Sequence, residues 1–333
     1  TVTVLYQAWI ERIRPVLILN KIDRLITEWQ MTAQEAYAHM QRLIEQVNAV
    51  LAGFWEEERL AKDSVLQQGT DAEQMKSAAM GGDQQDCLDD DSSIYFSPDQ
   101  GNVLFASAFD GWAFGLSDFA KFYAPKLGIA SPEKFCKALW GEFYFDPKNK
   151  KRILTRKQYA KTYGEGRAAA AQPLFVQLCL NNVWKVYDAI LMHPDTDQVD
   201  KIIAALGVKI LPRDRRSKDR RALLTAIMQG WLPLAQTCFL AAVEQLPSPI
   251  EAQARSLPAL LHPESFVRFP HLSPDLPSVQ PTDELERALY ACDDGRDSGP
   301  RDGHPMPVVA FVSKMLAIER SSLPEFNVKS DRL

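Results

Sequence analysis

No Gly-Lys dipeptide occurs in the 333 residues, and no Asp is followed three places later by Gly. The first absence excludes the G-x-x-x-x-G-K-[ST] loop that cradles nucleotide β- and γ-phosphates, and the second excludes the companion phosphate-sensing loop. Cysteine is sparse. The five residues Cys87, Cys136, Cys179, Cys238 and Cys292 are scattered without a C-x-x-C pair, which argues against a zinc site or a disulfide framework and fits a reducing compartment. The five histidines, His39, His193, His262, His271 and His304, show no ligand spacing, so surface or packing roles are expected. No apolar run approaches about eighteen residues, and no charged n-region with an apolar h-region opens the chain. Neither a membrane span nor a secretory signal is supported. A net charge of −5, with 46% hydrophobic and 24% charged residues, is ordinary for a soluble globular chain and does not by itself point to nucleic acid.

Against these absences stands Asn20-Lys21-Ile22-Asp23, at the end of the apolar run Pro15-Val16-Leu17-Ile18-Leu19. That run has buried-strand composition, and open α/β sheets bind ligands outside the carboxyl ends of their strands. The residue types suit a guanine. Guanine presents N1–H and an N2 amine on one edge, and Asp23 can accept from both through its two carboxylate oxygens. Asn20 can hydrogen-bond the N7 edge and brace the loop, while the Lys21 stem lies along the base plane with its ammonium near the ribose oxygen. Adenine would leave the buried Asp23 carboxylate facing an unprotonated nitrogen, a mismatch that polar sites reject by large factors.

Val103-Leu104-Phe105-Ala106 is a second short apolar run, and it ends in Ser107-Ala108. Ser107-Ala108 resembles the pair that in GTPases offers a backbone N–H to guanine O6, and Ala108 is small enough for main chain to approach a base. The predicted guanine-binding set is Asn20, Lys21, Asp23, Ser107 and Ala108. These groups name a base without acting on phosphate, so no catalytic residue and no metal ligand is assigned. Opening without Met, the chain reads as an amino-terminally truncated piece, expected to show no GTP hydrolysis and at best feeble nucleotide binding by itself.

Helical patterning begins at Leu5 to Ile13. Thr32-Ala33-Gln34-Glu35 reads as a capping box, and Tyr37, Met40, Leu43, Ile44, Val47 and Leu51 recur at helical steps behind it. From about Glu56 to Ser93 the pattern dissolves into Gln, Asp, Gly, Ser and Ala, so residues 56–93 read as an acidic, disordered insertion. Leu116, Phe119, Phe122 and Tyr123 line one side of a further helix. Ser131-Pro132 then opens a new segment with an apolar run from Phe135 to Phe145. Helices are expected at Leu174 to Met192, Val199 to Leu206 and Leu223 to Leu246, the last stopped by Pro247-Ser248-Pro249. Beyond it, residues 249–305 read as linker apart from a helical stretch near Glu284 to Ala291, and Val308 to Met315 as a strand. Two basic clusters, Lys148 to Lys161 and Arg213 to Arg221, could face RNA or an acidic protein, or could be solvated faces.

Taken together, these pieces resemble the elongation factor 2 class of ribosomal GTPases. The resemblance rests on Ala8-Trp9-Ile10-Glu11-Arg12-Ile13-Arg14-Pro15 before the Asn20 to Asp23 loop, on Ser107 through Phe114, Leu139-Trp140-Gly141, Leu246-Pro247-Ser248-Pro249 and Val312-Ser313-Lys314-Met315. Within the class the chain is more similar to the elongation-factor-like GTPases of large-subunit maturation. The carriers are the long acidic insertion, the Tyr95-Phe96-Ser97-Pro98-Asp99-Gln100-Gly101-Asn102-Val103 stretch, Ala108 where the translocase usually has Gly, and the extra polar stretch before Val308.

The resemblance implies an α/β fold: the carboxyl-terminal part of a P-loop-type G domain over 1–130, an inserted α+β G′ subdomain over 131–222, and a helix returning to the G domain over 223–248. A linker over 249–305 and the first strand of a truncated β-barrel domain over 306–333 would follow. It also implies GTP as substrate, with Mg²⁺ held by residues outside this sequence, and a cytoplasmic location. The implied partners are the large ribosomal subunit (ribosomal RNA and protein), the Shwachman-Bodian-Diamond syndrome protein and initiation factor six, whose release the parent enzyme would drive. Two other readings stay open: the ribosomal translocase itself, and a non-catalytic helical interaction module in which the Asn20 to Asp23 match is a coincidence. The last requires Asp23 and Ala108 to lie beyond the reach of one base.

Overall fold

Two apolar runs too short to be stable alone find each other as parallel strands. β1 (Leu17–Leu19) pairs with β2 (Val103–Ser107) in the register Leu17 to Val103, Ile18 to Leu104 and Leu19 to Phe105. Parallel pairing puts the carboxyl ends of both strands at the same edge, which brings the loop after Leu19 beside the loop after Ser107. β2 is buried at every position, as a strand of Val, Leu, Phe and Ala covered on both faces should be. On its other side runs the antiparallel β3 (Trp112–Phe114), with Phe105 opposite Phe114 and Ser107 opposite Trp112. The computed structural model describes residues 1–10, 13–68, 94–129, 131–149, 152–215 and 219–261, with isolated positions 286, 287, 289, 317 and 318. Almost all of these belong to the compact unit Thr1–Val279. Of the second unit, Gln280–Leu333, the described positions include 286, 287 and 289, which are helical, within the stretch expected near Glu284 to Ala291. The strand expected at Val308 to Met315 lies outside the described residues.

Helices dominate around this small sheet. α1 (Val2–Ile10) precedes β1, α2 (Ile22–Thr27) starts inside the Asn20 to Asp23 stretch, and α3 (Ala33–Gln68) follows it. The capping box at Thr32 forms: the Thr32 N–H donates to Glu35 Oε2 at 2.8 Å, and the Glu35 N–H donates to Thr32 Oγ1 at 3.3 Å. Tyr37, Met40, Ile44 and Leu51 are buried along one stripe of α3. The helix does not end where that stripe does. Residues 56–68, read above as the start of a disordered insertion, are helical, because Glu, Arg, Leu, Ala, Lys and Gln favour helix, and the Arg59–Glu56 pair at 2.8 Å adds to it. Residues 69–93 lie outside the described residues.

Past β3 come α4 (Leu116–Leu127) and α5 (Pro132–Leu139), the latter opened by Ser131, whose Oγ accepts the Lys134 N–H. The run from Phe135 to Phe145 is thus divided between a helix and β4 (Phe143–Phe145), which pairs antiparallel with β5 (Ile153–Thr155). α6 (Arg156–Tyr163) and α7 (Glu165–Ala170) follow, and Tyr144, Leu154, Tyr159 and Ala168 make a small separate cluster beneath them. A continuous helical rod then spans 174–192. Its middle, α8 (Asn181–Tyr187), is α-helical, and it is flanked by π-helical turns at Val176–Leu180 and Asp188–Met192. Leu174, Phe175, Val176, Cys179, Leu180, Val183, Val186 and Tyr187 are buried with β2 and β3 in one apolar core. Phe105 sits at its centre, with ring centroids 5.3 Å from Phe114, 4.9 Å from Phe175 and 5.7 Å from Trp140.

α9 (Thr196–Leu206) and the single turn α10 (Pro212–Arg215) lead to α11 (Arg220–Trp231). The single helix expected from Leu223 to Leu246 is two helices, α11 and α12 (Leu234–Gln245), with Pro233 between them. Proline lacks the N–H a helix needs and holds the preceding residue extended. Here the break also extends the sheet: the Ala113 N–H donates to Leu232 O at 3.1 Å and the Leu234 N–H to Gly111 O at 3.3 Å. α13 (Pro249–Leu261) occupies the start of the expected linker. Its entry is a second capping box, with the Ser248 N–H on Glu251 Oε2 at 2.8 Å and the Glu251 N–H on Ser248 Oγ at 3.3 Å. Among the described residues no helix is long and apolar enough to cross a membrane.

Gly111 turns the chain between β2 and β3 at φ +73°, and a Cβ there would lie 2.3 Å from Gln229 Nε2 and 3.0 Å from its Cγ. Gly111→Ala should therefore lower stability by about 2 kcal/mol, from left-handed strain plus displacement of Gln229, read as a lower urea midpoint with an unchanged slope.

Candidate functional site

Asn20 leaves the end of β1 with its side chain turned across to the neighbouring loop. Its Oδ1 accepts the Lys21 N–H at 2.8 Å and the Ala108 N–H at 2.9 Å, so one amide oxygen staples both loops together. Lys21 adopts the left-handed region at φ 69°, ψ 33°, a conformation rare for a residue with a Cβ and found where surrounding structure imposes it. The turn at Lys21 places Ile22 and Asp23 at the start of α2, both buried, while Asn20 and Lys21 stay exposed.

Asp23 is only 5% exposed, and two different elements hold its carboxylate. Ser107, fully buried at the end of β2, donates its hydroxyl to Asp23 Oδ1 at 2.9 Å. The same Ser107 Oγ accepts the Asp110 N–H at 3.2 Å, which fixes the direction of its proton. From the far side, Arg221 Nη2 donates to Asp23 Oδ2 at 3.4 Å. Arg221 is in turn gripped by Asp110, with Nε on Oδ1 at 3.0 Å and Nη2 on Oδ2 at 3.2 Å. Asp110 has no exposed surface and also accepts the Tyr187 hydroxyl at 2.6 Å; that hydroxyl accepts Trp112 Nε1–H at 2.8 Å. Burial, reinforced by the bond to Asp110, raises the Tyr187 phenol far above its ordinary range and keeps it a donor.

All five expected residues therefore meet at one sheet edge. The separation of Asp23 from Ala108 that a coincidental motif would require is not seen, since Asn20 bonds to Ala108 and Asp23 to the adjacent Ser107. The Ala108 N–H, the expected donor to guanine O6, donates in this structure to Asn20 Oδ1. Among the described residues the Asn20 amide NH₂ makes no protein hydrogen bond and is the end of that side chain suited to the N7 edge of a base. A cavity of about 580 Å³ runs along the other side of β1, lined by Leu5, Leu17, Met40 and Val47 and touching Asn20 and Lys21. Among the described residues no group of three or more His, Cys, Asp or Glu is placed to hold a metal.

Sequence reasoning missed Arg221, Asp110 and Tyr187. Arg221 falls in the basic cluster that begins at Arg213, yet it lies three residues before Leu224, on the stripe that continues through Ile227 and Met228. That spacing puts it on the buried side of α11, and Asp219, the cap of that helix, accepts its N–H at 2.9 Å. The signal was present in the periodicity.

No family model matches the chain. Individual relatives do. The chain is 40% identical over 329 residues to ribosome assembly protein 1 of Schizosaccharomyces pombe, covering 99% of this chain and 28% of that protein. It is 43% identical over 337 residues to ribosome assembly protein 1 of Saccharomyces cerevisiae, covering 100% of this chain and 26% of that protein. With elongation factor-like GTPase 1 of Homo sapiens the identity is 39% over 333 residues, covering 98% of this chain and 27% of that protein. The chain thus spans little more than a quarter of the length of these relatives. Over nearly its whole length it is a homologue of one segment of ribosome assembly protein 1 and elongation factor-like GTPase 1.

Proposed function

We propose that this chain supplies the guanine-recognising part of a GTP-binding, GTP-hydrolysing ribosome assembly factor. The observation that carries this reading is the paired clamp at the sheet edge: Asp23 fixed by Ser107, and Asn20 bridging to Ala108. A carboxylate held in a fixed orientation and largely shielded from water is what bidentate recognition of N1–H and the N2 amine needs. Asn20, Lys21, Asp23, Ser107 and Ala108 select the nucleotide, and chemistry at the phosphates, with its Mg²⁺, is assigned to other parts of the parent protein. The names of the relatives support assembly of the ribosome as the setting. Within it we place the parent on the cytoplasmic pre-large subunit, with the Shwachman-Bodian-Diamond syndrome protein as co-factor and release of initiation factor six as the outcome. On the same reading, 1–130 is the partial G domain, 131–222 the G′ insertion, and 306–333 the start of a β-barrel domain.

An Asp23→Asn variant tests the base reading. Xanthine keeps N1–H but carries a carbonyl where guanine has its amine, so an asparagine amide can both accept and donate there. Competition titration should show the ratio of guanosine to xanthosine diphosphate affinity falling by roughly 100-fold, with the order of preference inverted. A variant that keeps its guanine preference would refute the role given to Asp23.

A further inference from the structure

We infer that Arg221 is a positioning residue for guanine selectivity, acting on the base through Asp23; this rests on the base-reading role proposed above. A carboxylate discriminates guanine only when both oxygens point along one edge of the base, so its rotation must be stopped. Ser107 restrains Oδ1 at 2.9 Å, and a single bond leaves the group free to swing about it. Arg221 restrains the other oxygen, Oδ2, from the opposite side. Each carboxylate oxygen has two acceptor directions, so the guanidinium bond leaves one for a base.

The guanidinium cannot drift with its ligand. Its fork is fixed by two N–H bonds to Asp110, and Asp110 is held by the Tyr187 hydroxyl and by its own N–H on Ser107 Oγ. On its exposed side the guanidinium carbon stands 4.4 Å from the Phe109 ring centre. The network closes on itself: Ser107 touches both Asp23 and Asp110, and Arg221 touches both as well. A lysine could supply charge at this point but not the planar fork that grips one carboxylate while steering another.

The prediction concerns ratios. Guanosine uses both Asp23 oxygens, whereas inosine lacks the N2 amine and needs only one, so only guanosine depends on the orientation of the carboxylate. Wild-type chain, Arg221→Met and Arg221→Lys are titrated with guanosine, inosine and adenosine diphosphates, with thermal melting of each variant to confirm folding. Wild type should prefer guanosine to inosine diphosphate by about tenfold, the worth of one hydrogen bond to a charged group. Arg221→Met should bring that ratio close to one, chiefly through loss of guanosine affinity, and Arg221→Lys should not restore it. Equal loss for guanosine and inosine, or full rescue by lysine, would overturn the positioning role while leaving the base reading intact. A wild-type chain that binds adenosine and guanosine diphosphates equally would overturn the base reading and this inference with it.

Discussion

Asp110→Ala is expected to lower the stability of the chain by about 4 kcal/mol, enough to take up much of what a domain of this kind has. Asp110 is fully buried and accepts three side-chain bonds, two from Arg221 and one from Tyr187. Removing the carboxylate strands a guanidinium whose side chain is 36% exposed, and the bond to Asp23 at 3.4 Å is too long to replace a forked pair. It also strands the Tyr187 hydroxyl and opens a polar void beside Trp112. Asp110→Asn keeps an acceptor for Tyr187 and should cost less than the alanine variant. Urea unfolding of both variants decides the point: a loss below about 1 kcal/mol for Asp110→Ala would show that the pair does little for the native state.

Phe105→Ala should cost about the same, about 4 kcal/mol, for a different reason. Phe105 has no exposed surface and stands among Phe114, Trp140 and Phe175, which come from a strand, a loop and the start of the helical rod. None of these neighbours can collapse inward without dragging its own element, so the cavity would stay open and both transfer and cavity terms would be felt in full. Because Phe105 is two residues before Ser107 on the same strand, the variant should also loosen the clamp on Asp23. Denaturant titration should show a lower midpoint, and a loss under about 1.5 kcal/mol, as for a volume-conserving swap, would mean that the core repacks.

Much of the site was legible because each of its two loops is local. A strand-like run ending in Asn20 to Asp23, and another ending in Ser107-Ala108, are read from consecutive residues, and parallel pairing of the runs does the rest. The helix entries at Thr32 and Ser131 were legible for the same reason, since a cap is a contact between near neighbours. The cap at Ser248 carries the same signature within a stretch whose proline-rich composition reads as linker. What composition hid was the helical run through residues 56–68, where propensity rather than patterning decides. What no local pattern states is the Arg221 to Asp110 to Tyr187 chain, whose members are separated by 111 and 77 residues. The break at Pro233 is intermediate: proline forbids the helix locally, but its use as a sheet edge against Trp112 depends on a distant strand.

The central claim is that the clamp of Asn20, Asp23, Ser107 and Ala108 reads guanine. The most direct test follows the backbone amides of Lys21 and Ala108 by nuclear magnetic resonance while the chain is titrated with guanosine diphosphate and, separately, adenosine diphosphate. Guanosine diphosphate should bind weakly and shift both amides, Ala108 most of all because its bond to Asn20 must be shared or exchanged, and adenosine diphosphate should leave them in place. Equal shifts with the two nucleotides, or none at these amides with either, would contradict the account.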